Sequence, residues 1–560
     1  MKSQHWDSKL EGEILDVCED IASPLVAACL YGPRLYGRSI NNGEINVLII
    51  TDQGQPILKS YKRRVADFSG SFLVIDRENF ERDAENGALG ELAVENIFTP
   101  HKPLINRDYL RRQEVIAKKR IISGLLDNLV LEFPELSYDL YIKPEYFIYE
   151  TVTRMASLFP PLTYGLINML RGGLKEENVR FMMKGIRKAL AELAEEEKIT
   201  LHPSGYVRIR KDYIETVKAR RAKIADIFRS FKKEVLHQVL RVFPRLTLSI
   251  PKNQETYATT LARFRNILEE PVFKLEDSKR YLFMPTPLGL VALSDKTSIE
   301  GFVRKAVPKG KALNIEIDRI GGVLNSVYLI RFEGEKEEEQ VVVKRFKDWY
   351  GLKWFPLALW AIGTRGFSVL GRSRLEKEYA INRFLSTQGI RVPKILYVSP
   401  DERLIFEEFV EGLNLVEVLK KLSSKKMGAK EAGRILREVG KTLAKVHETG
   451  VALGDCKPEN IVITHDRSVC FLDLEQASRG GNQVWDVAEF LFYAGHYFPS
   501  VLSLQAVKLV TNESVRGYLE NGGSPTNVSK AASARYGKVF SIFTPPHVLI
   551  TISNCLKKAV

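Results

Sequence analysis

One stretch limits what this chain can fold into more than any other. Residues 451–478 read VALGDCKPENIVITHDRSVCFLDLEQAS. A short apolar approach ends in a turn at Leu453-Gly454-Asp455, and Cys456-Lys457-Pro458-Glu459-Asn460 follows. Two β-rich runs, Asn460–Thr464 and Val469–Leu474, flank the polar turn His465-Asp466-Arg467-Ser468, which predicts a hairpin whose second arm delivers Asp473. The carboxylates of Asp455 and Asp473, the ammonium of Lys457 and the amide of Asn460 are thereby gathered around one turn. Phosphoryl transfer needs such a set: a carboxylate to orient the attacking hydroxyl, a cation on the moving phosphoryl group, and oxygen ligands for Mg²⁺.

Upstream, Ile315–Ile320 and Val327–Arg331 read as strands joined by the turn Gly321-Gly322-Val323-Leu324-Asn325-Ser326. Glycines there let a backbone approach phosphates and donate N–H groups to them. Next comes Val341-Val342-Val343-Lys344, one lysine among apolar neighbours on a buried strand. A buried lysine is costly unless paired. Its partner is expected on the following helix, Leu375–Leu385, where Glu376 and Glu378 both qualify but only one can face the strand. A later helix, Glu431–Thr449, carries Leu436, Val439, Leu443 and Val446 on one face.

The spacing of Asp455, Lys457 and Asn460, with Asp473 thirteen residues beyond the Asn, resembles the catalytic loop and metal-binding hairpin of the protein-kinase-like superfamily. The resemblance implies a two-lobed fold over 301–560, ATP as phosphoryl donor, and Mg²⁺, with Mn²⁺ as an alternative. It implies that Asp455 accepts the proton of the acceptor hydroxyl and Lys457 neutralises the transferring group. Asn460 and Asp473 would hold metal, and Lys344 the α- and β-phosphates. Glu378 matches the family's orienting Glu by its context, Lys377-Glu378-Tyr379-Ala380. Gly321, Gly322, Asn325 and Ser326 would line the phosphates. Ile405–Gly412 looks like the hinge between lobes, with backbone groups of Glu408 and Val410 at the adenine edge, and Asp486 resembles the Asp that braces the catalytic loop. Several features depart from ordinary members. Leu453-Gly454 stands where His-Arg is usual, Asp473-Leu474-Glu475-Gln476 replaces Asp-Phe-Gly, no Ala-Pro-Glu follows, and Ser478 leads quickly to Asp486. These features resemble RIO kinases and the archaeal kinase of the tRNA threonylcarbamoyl-modifying complex, whereas Lys457-Pro458 is closer to ordinary Ser/Thr kinases. The implied activity is that of an atypical serine/threonine protein kinase acting on protein, itself included. Two alternatives stay open: a small-molecule kinase, against which Lys457 counts, and a nucleic-acid-associated ATPase switch.

Ahead of this region the chain reads as a multidomain α+β protein. Its 560 residues suggest about three or four domains, and an apolar content of 45% supplies packed cores. Residues 1–130 begin with an amphipathic helix. Then come a strand ending at Leu30-Tyr31-Gly32, a second at Glu44–Ile50 and a third at Phe72–Asp76. This resembles the small nucleotidyltransferase fold, but Gly32-Pro33 replaces Gly-Ser and Glu44-x-Asn46 replaces Asp-x-Asp. Two metals between phosphates need denser negative charge, so the domain reads as a non-catalytic relic used for binding or architecture. Residues 131–245 give helices at Glu145–Leu158, Leu162–Leu170 and Glu176–Glu197, then a hairpin from Ile199–Leu201 to Tyr206–Ile209. That is the pattern of a winged helix-turn-helix. A basic helix follows with Lys218, Arg220, Arg221 and Lys223. Arg180, Lys184, Arg187 and Lys188 on the third helix would suit an RNA or DNA backbone, and equally a solvated face. Residues 246–300 read as a connecting segment punctuated by Pro251, Pro271, Pro285 and Pro287. The aromatic-rich stretch 348–374 reads as a helix packed on a neighbour, with a membrane-surface or partner contact as the alternative.

The net charge of +14 (83 − 69) suits an anionic partner or simply a basic proteome. Five cysteines with no metal spacing look like reduced thiols, and Met1–Asp16 holds no apolar signal core, so a cytoplasmic protein is expected.

Overall fold

The computed structural model describes residues 8–32, 34–35, 45–52, 58–90, 94–158, 169–170, 173–220, 276–306, 315–321, 325–333, 338–348 and 370–560. Several readings above fall outside them: Pro33, Glu44, most of Leu162–Leu170, Arg221, Lys223, Pro251, Pro271, Gly322 and residues 349–369. The chain divides into two compact units, 1–134 with 140–282, and 135–139 with 283–560.

In the first unit, α1 (Ser8–Ile21) precedes β1 (Leu25–Tyr31), β2 (Ile45–Thr51), β3 (Leu58–Val65) and β4 (Phe68–Asp76). Then come α2 (Arg77–Asn86), α3 (Glu95–Phe98), β5 (Lys102–Ile105) and α4 (Arg107–Glu132). The sheet order is β3-β4-β2-β1-β5, with β2 and β4 parallel and the other pairs antiparallel. Because β1 and β2 are covered on both faces, they read as continuous apolar runs. Ala27, Cys29, Leu48 and Ile50 pack under Phe80 and Leu110, while Leu30, Val47 and Ile49 pack under Ile14 and Cys18. Asp76, the carboxylate at the end of β4, caps α2 by accepting from Asn79 N–H at 2.9 Å and Asn79 Nδ2 at 2.7 Å. The unit continues with β6 (Tyr141–Ile142), α5 (Glu145–Leu158), α6 (Lys175–Glu195), β7 (Ile199–Leu201) and β8 (Val207–Ile209). Arg180, Lys184, Arg187 and Lys188 are all exposed on α6. Arg220 lies 3.5 Å from Asp127.

In the second unit, the hairpin β9 (Leu282–Thr286) and β10 (Gly289–Ala292) and the helix α7 (Ile299–Ala306) lead into the sheet strands. These are β11 (Ile315–Gly321), β12 (Ser326–Glu333) and β13 (Glu338–Arg345), then α8 (Gly371–Thr387), β14 (Ile395–Ser399) and β15 (Leu404–Glu408). The strand order is β11-β12-β13-β15-β14, all antiparallel. Val291, Phe302 and Val303 pack with Ile330, Val341, Val343, Leu404 and Phe406 on one face of that sheet. The remainder is mostly helical: β16 (Leu413–Asn414), α9 (Leu415–Ser423), α10 (Ala429–Glu448), β17 (Val451–Ala452), β18 (Ile461–Ile463), β19 (Val469–Phe471), β20 (Ser478–Arg479) and α11 (Gln483–Gly495), followed by α12 (Leu504–Glu520) to Ala559. One large core joins α9, α10, the β18–β19 hairpin and the later helices.

Residues 135–139 belong to this second unit. Glu135 Oε2 pairs with Arg479 Nη1 at 2.6 Å, and the Arg479 guanidinium lies 4.2 Å from the Tyr138 ring centre and 4.4 Å from that of Phe384. Among the described residues no helix is long and apolar enough to cross a membrane.

Candidate active site

Side-chain alternation along β13 and β15 builds the upper half of the site. Val341 and Val343 enter the core, so Lys344 faces the other way; Leu404 and Phe406 enter the core, so Glu407 faces the other way as well. The register sets Val342 opposite Glu407 and Lys344 opposite Ile405. Lys344 Nζ donates to Glu378 Oε1 of α8 at 2.7 Å and lies 3.3 Å from Glu407 Oε2. All three residues are buried, Glu378 completely. Glu376, the other candidate on α8, pairs with Arg372 instead. Burial works against the Lys344 charge, but Glu378, Glu407 and Asp473 outweigh it and hold the ammonium well above its ordinary pKa. Burial pushes the Glu378 carboxyl well up, Lys344 pulls it down, and Glu407 and Asp473 raise it further.

The lower half is the loop between β17 and β18. Gly454 takes φ +73°, a left-handed conformation that favours glycine. It hands the chain to Asp455, and Lys457-Pro458 opens a 3₁₀ turn over Pro458–Asn460. Lys457 Nζ donates to Asp455 Oδ2 at 2.9 Å, and Asn460 Nδ2 donates to the same oxygen and to Asp455 O, both at 3.0 Å. Asp486, wholly buried at the start of α11, holds this loop in place. It accepts Leu453 N–H at 2.6 Å and Gly454 N–H at 2.7 Å, and lies 3.1 Å from His447 Nε2. Glu489, one turn later, accepts Cys456 N–H at 2.8 Å and Trp485 Nε1–H at 2.9 Å.

Asp473 follows β19 in a left-handed conformation, φ +58°. Its charge acts on both Lys344 and Lys457. For Lys457, burial again opposes the charge, and Asp455 first, then Asp473 and Glu489, hold the ammonium above its ordinary pKa. Two residues beyond Asp473, Glu475 is buried and meets Asn325 Nδ2 at 2.5 Å and Arg374 Nη1 at 3.0 Å. Asn325 is thus engaged through its side chain, and Ser326 is buried opposite Arg345 at the start of β12. Gly321 closes β11, Glu408 closes β15, and Val410 follows in the connection to Gly412.

A metal ion fits this donor set. Asp473 Oδ1, Glu378 Oε2 and Glu407 Oε1 are buried without a hydrogen-bond partner among the described residues. No cluster of three or more His, Cys, Asp or Glu that would cage a metal occurs among those residues. Mg²⁺ in nucleotide sites uses one or two protein oxygens plus phosphates and water, so Asn460 and Asp473 are a sufficient protein share. Sequence reasoning missed Glu407, Arg374, Glu475 and Glu489. Only Glu407 left a signal: an acid buried within the strand LIFEE, on the face opposite Leu404 and Phe406.

The antiparallel sheet with its lysine–glutamate pair, the braced loop and the hairpin that carries Asp473 make the C-terminal unit protein-kinase-like. Residues 332–491, which contain every side chain of the site except Asn325, Ser326 and the turn before them, match the lipopolysaccharide kinase (Kdo/WaaP) family. The chain is also similar to the KEOPS complex subunit Bud32 of Pyrococcus abyssi, 32% identical over 104 residues, which cover 19% of this chain and 44% of that protein. It is 28% identical over 134 residues to the serine/threonine-protein kinase cds1 of Schizosaccharomyces pombe, covering 24% of this chain and 29% of that kinase. The chain thus spans less than half the length of these curated relatives.

Proposed function

We propose that this protein is an ATP- and Mg²⁺-dependent phosphotransferase that moves the γ-phosphoryl group to a serine or threonine hydroxyl of a protein, itself included. The observation that carries the reading is geometric: a buried Lys344 Nζ on Glu378 Oε1 at 2.7 Å, together with a loop whose Lys457 and Asn460 meet on Asp455 Oδ2 at 2.9 and 3.0 Å. Lys344, oriented by Glu378, holds the α- and β-phosphates. Asp455 receives the proton of the attacking hydroxyl as the O–P bond forms. Lys457, resting on Asp455 at 2.9 Å, lies ready to shift toward the transferring group. Asn460 and Asp473 would carry the metal, which when bound neutralises charge on the phosphates. The chemistry is positioning and electrostatics, so loss of Asp455 costs about 10²-fold or more in rate.

The match to a lipopolysaccharide kinase family favours a second reading, a sugar hydroxyl as acceptor. The exposed basic face of α6 and its wing-like hairpin favour recruitment of nucleic acid to the first unit. Transfer of γ-³²P from ATP is measured for wild type and Asp455→Ala, with protein, lipopolysaccharide core sugars and RNA offered in turn. Label in protein that disappears with Asp455→Ala supports the proposal. Label only in sugar, or ATP consumption with no labelled acceptor, refutes the protein-kinase reading.

A further inference from the structure

The function above makes no use of one fully buried charged side chain of the second unit. Arg374, in the first turn of α8, is 0% exposed. Its Nη1 donates to Asn325 Oδ1 at 2.9 Å and to Glu475 Oε1 and Oε2 at 3.0 and 3.1 Å, and its Nη2 donates to the Lys347 carbonyl. Asn325 closes the triangle by donating to Glu475 Oε2 at 2.5 Å.

Such a pair is a poor way to gain stability. Removing a guanidinium and a carboxylate from water costs about as much as their attraction returns, and packed apolar groups would serve as well. Its position points to another use. Arg374 and Glu378 are four residues apart and share a face of α8. Glu378 holds Lys344, while Arg374 holds the residue two beyond Asp473. Asn325 directly precedes β12. One guanidinium thus ties together three pieces of the site that are far apart in sequence. Asp348 completes the tie by accepting Gly371 N–H at 2.8 Å and Arg403 Nη1 at 2.6 Å, so the exit of β13 is bonded to the start of α8. Only a short run separates Ser478 from Asp486, which leaves little chain for a separate switch segment.

We infer that Arg374, Glu475 and Asn325 are positioning residues: their buried network fixes α8 and the Asp473 loop relative to one another, and so keeps the phosphate- and metal-holding groups in register. The inference rests on the phosphotransferase reading for its kinetic consequence but not for its structural one.

The test uses the full chain. Glu475→Gln leaves no unpaired buried acid, and Arg374→Lys keeps the charge while losing the two-pronged contact. Both are expected to lower kcat by about 10²-fold, the cost of a misplaced catalytic group. KM for ATP should stay within about threefold, because nucleotide binding through Lys344 persists. Hydrogen exchange of the nucleotide-free protein supplies an independent readout. In Arg374→Met/Glu475→Gln, peptides covering 325–331, 371–378 and 471–477 should lose protection together while 451–460 does not. Values of kcat within about twofold of wild type, or exchange altered only in the peptide carrying a substitution, overturn the inference. If wild type transfers no phosphoryl group, the functional proposal fails, and the exchange experiment still decides whether the network couples the three elements.

Discussion

Removing the Asp486 carboxylate should loosen the catalytic loop by an amount that the geometry sets. Asp486 is wholly buried and accepts the Leu453 and Gly454 N–H groups at 2.6 and 2.7 Å. Hydrogen bonds to a charged partner contribute about 1.5–3 kcal/mol each, and a buried donor left alone costs a comparable amount. Asp486→Ala strands both amides and releases His447 Nε2. The expected loss is therefore about 3–6 kcal/mol. Domain stabilities of about 5–15 kcal/mol make that a large share of what holds the second unit folded. Asp486→Asn keeps one acceptor oxygen but turns an NH₂ toward the second amide, so about half the loss is expected, in the 1.5–3 kcal/mol range of one such bond. Urea unfolding followed by circular dichroism measures the total. Hydrogen exchange of the peptide covering 451–457 measures the loop itself. Exchange there should accelerate more than in 504–520 of the same unit. If Asp486→Ala costs under about 1 kcal/mol and 451–457 stays protected, the bracing argument fails.

Other outcomes follow from the same geometry. Glu378→Gln should lower kcat/KM for ATP more than Glu407→Gln, because the Lys344 contact is 2.7 Å in one case and 3.3 Å in the other, and equal losses would refute that ranking. Asp473→Asn removes the charge that both lysines feel and should cost about 10²-fold or more in the γ-phosphate transfer assay. The thiols give a pH test. Burial, with Glu19 adding to it, pushes Cys18 up to about 12, and burial, partly offset by Arg391, pushes Cys470 up to about 12. A raised thiol pKa keeps the unreactive protonated form. Native-state alkylation read by mass spectrometry should therefore reach the half-buried Cys555 first. Labelling of Cys18 and Cys470 should stay slow from pH 7 to 9, and rapid modification of either would contradict their burial.

The parts of the site written close together were readable. The turn at 453–460, the hairpin after it and the lone lysine in an apolar strand carry their chemistry in local spacing, and the strands fall at 461–463 and 469–471 within the runs that composition predicts. Helix α8 begins at Gly371, a turn before Leu375, because Asp348 accepts its first amide and Arg374 is held by Glu475. Both contacts are distant in sequence, so periodicity carries no trace of them. The edge strand β3, LKSYKRRV, was missed because one neighbour and little burial leave its residues polar, without the alternation that marks a half-buried strand. The choice between Glu376 and Glu378 needed the helix to be placed against β13, where only the second reaches Lys344.

The five residues Glu135–Asp139 carry a practical lesson about dissection. The kinase-like body is not one continuous text: it borrows a clause written some 145 positions before its main sentence begins at 283. A fragment starting at Phe283 would leave the Arg479 guanidinium without its carboxylate and one of its two aromatic walls, beside the strand that pairs with Val451-Ala452 at the mouth of the catalytic loop. Any cassette that carries 283–560 alone loses the same contacts.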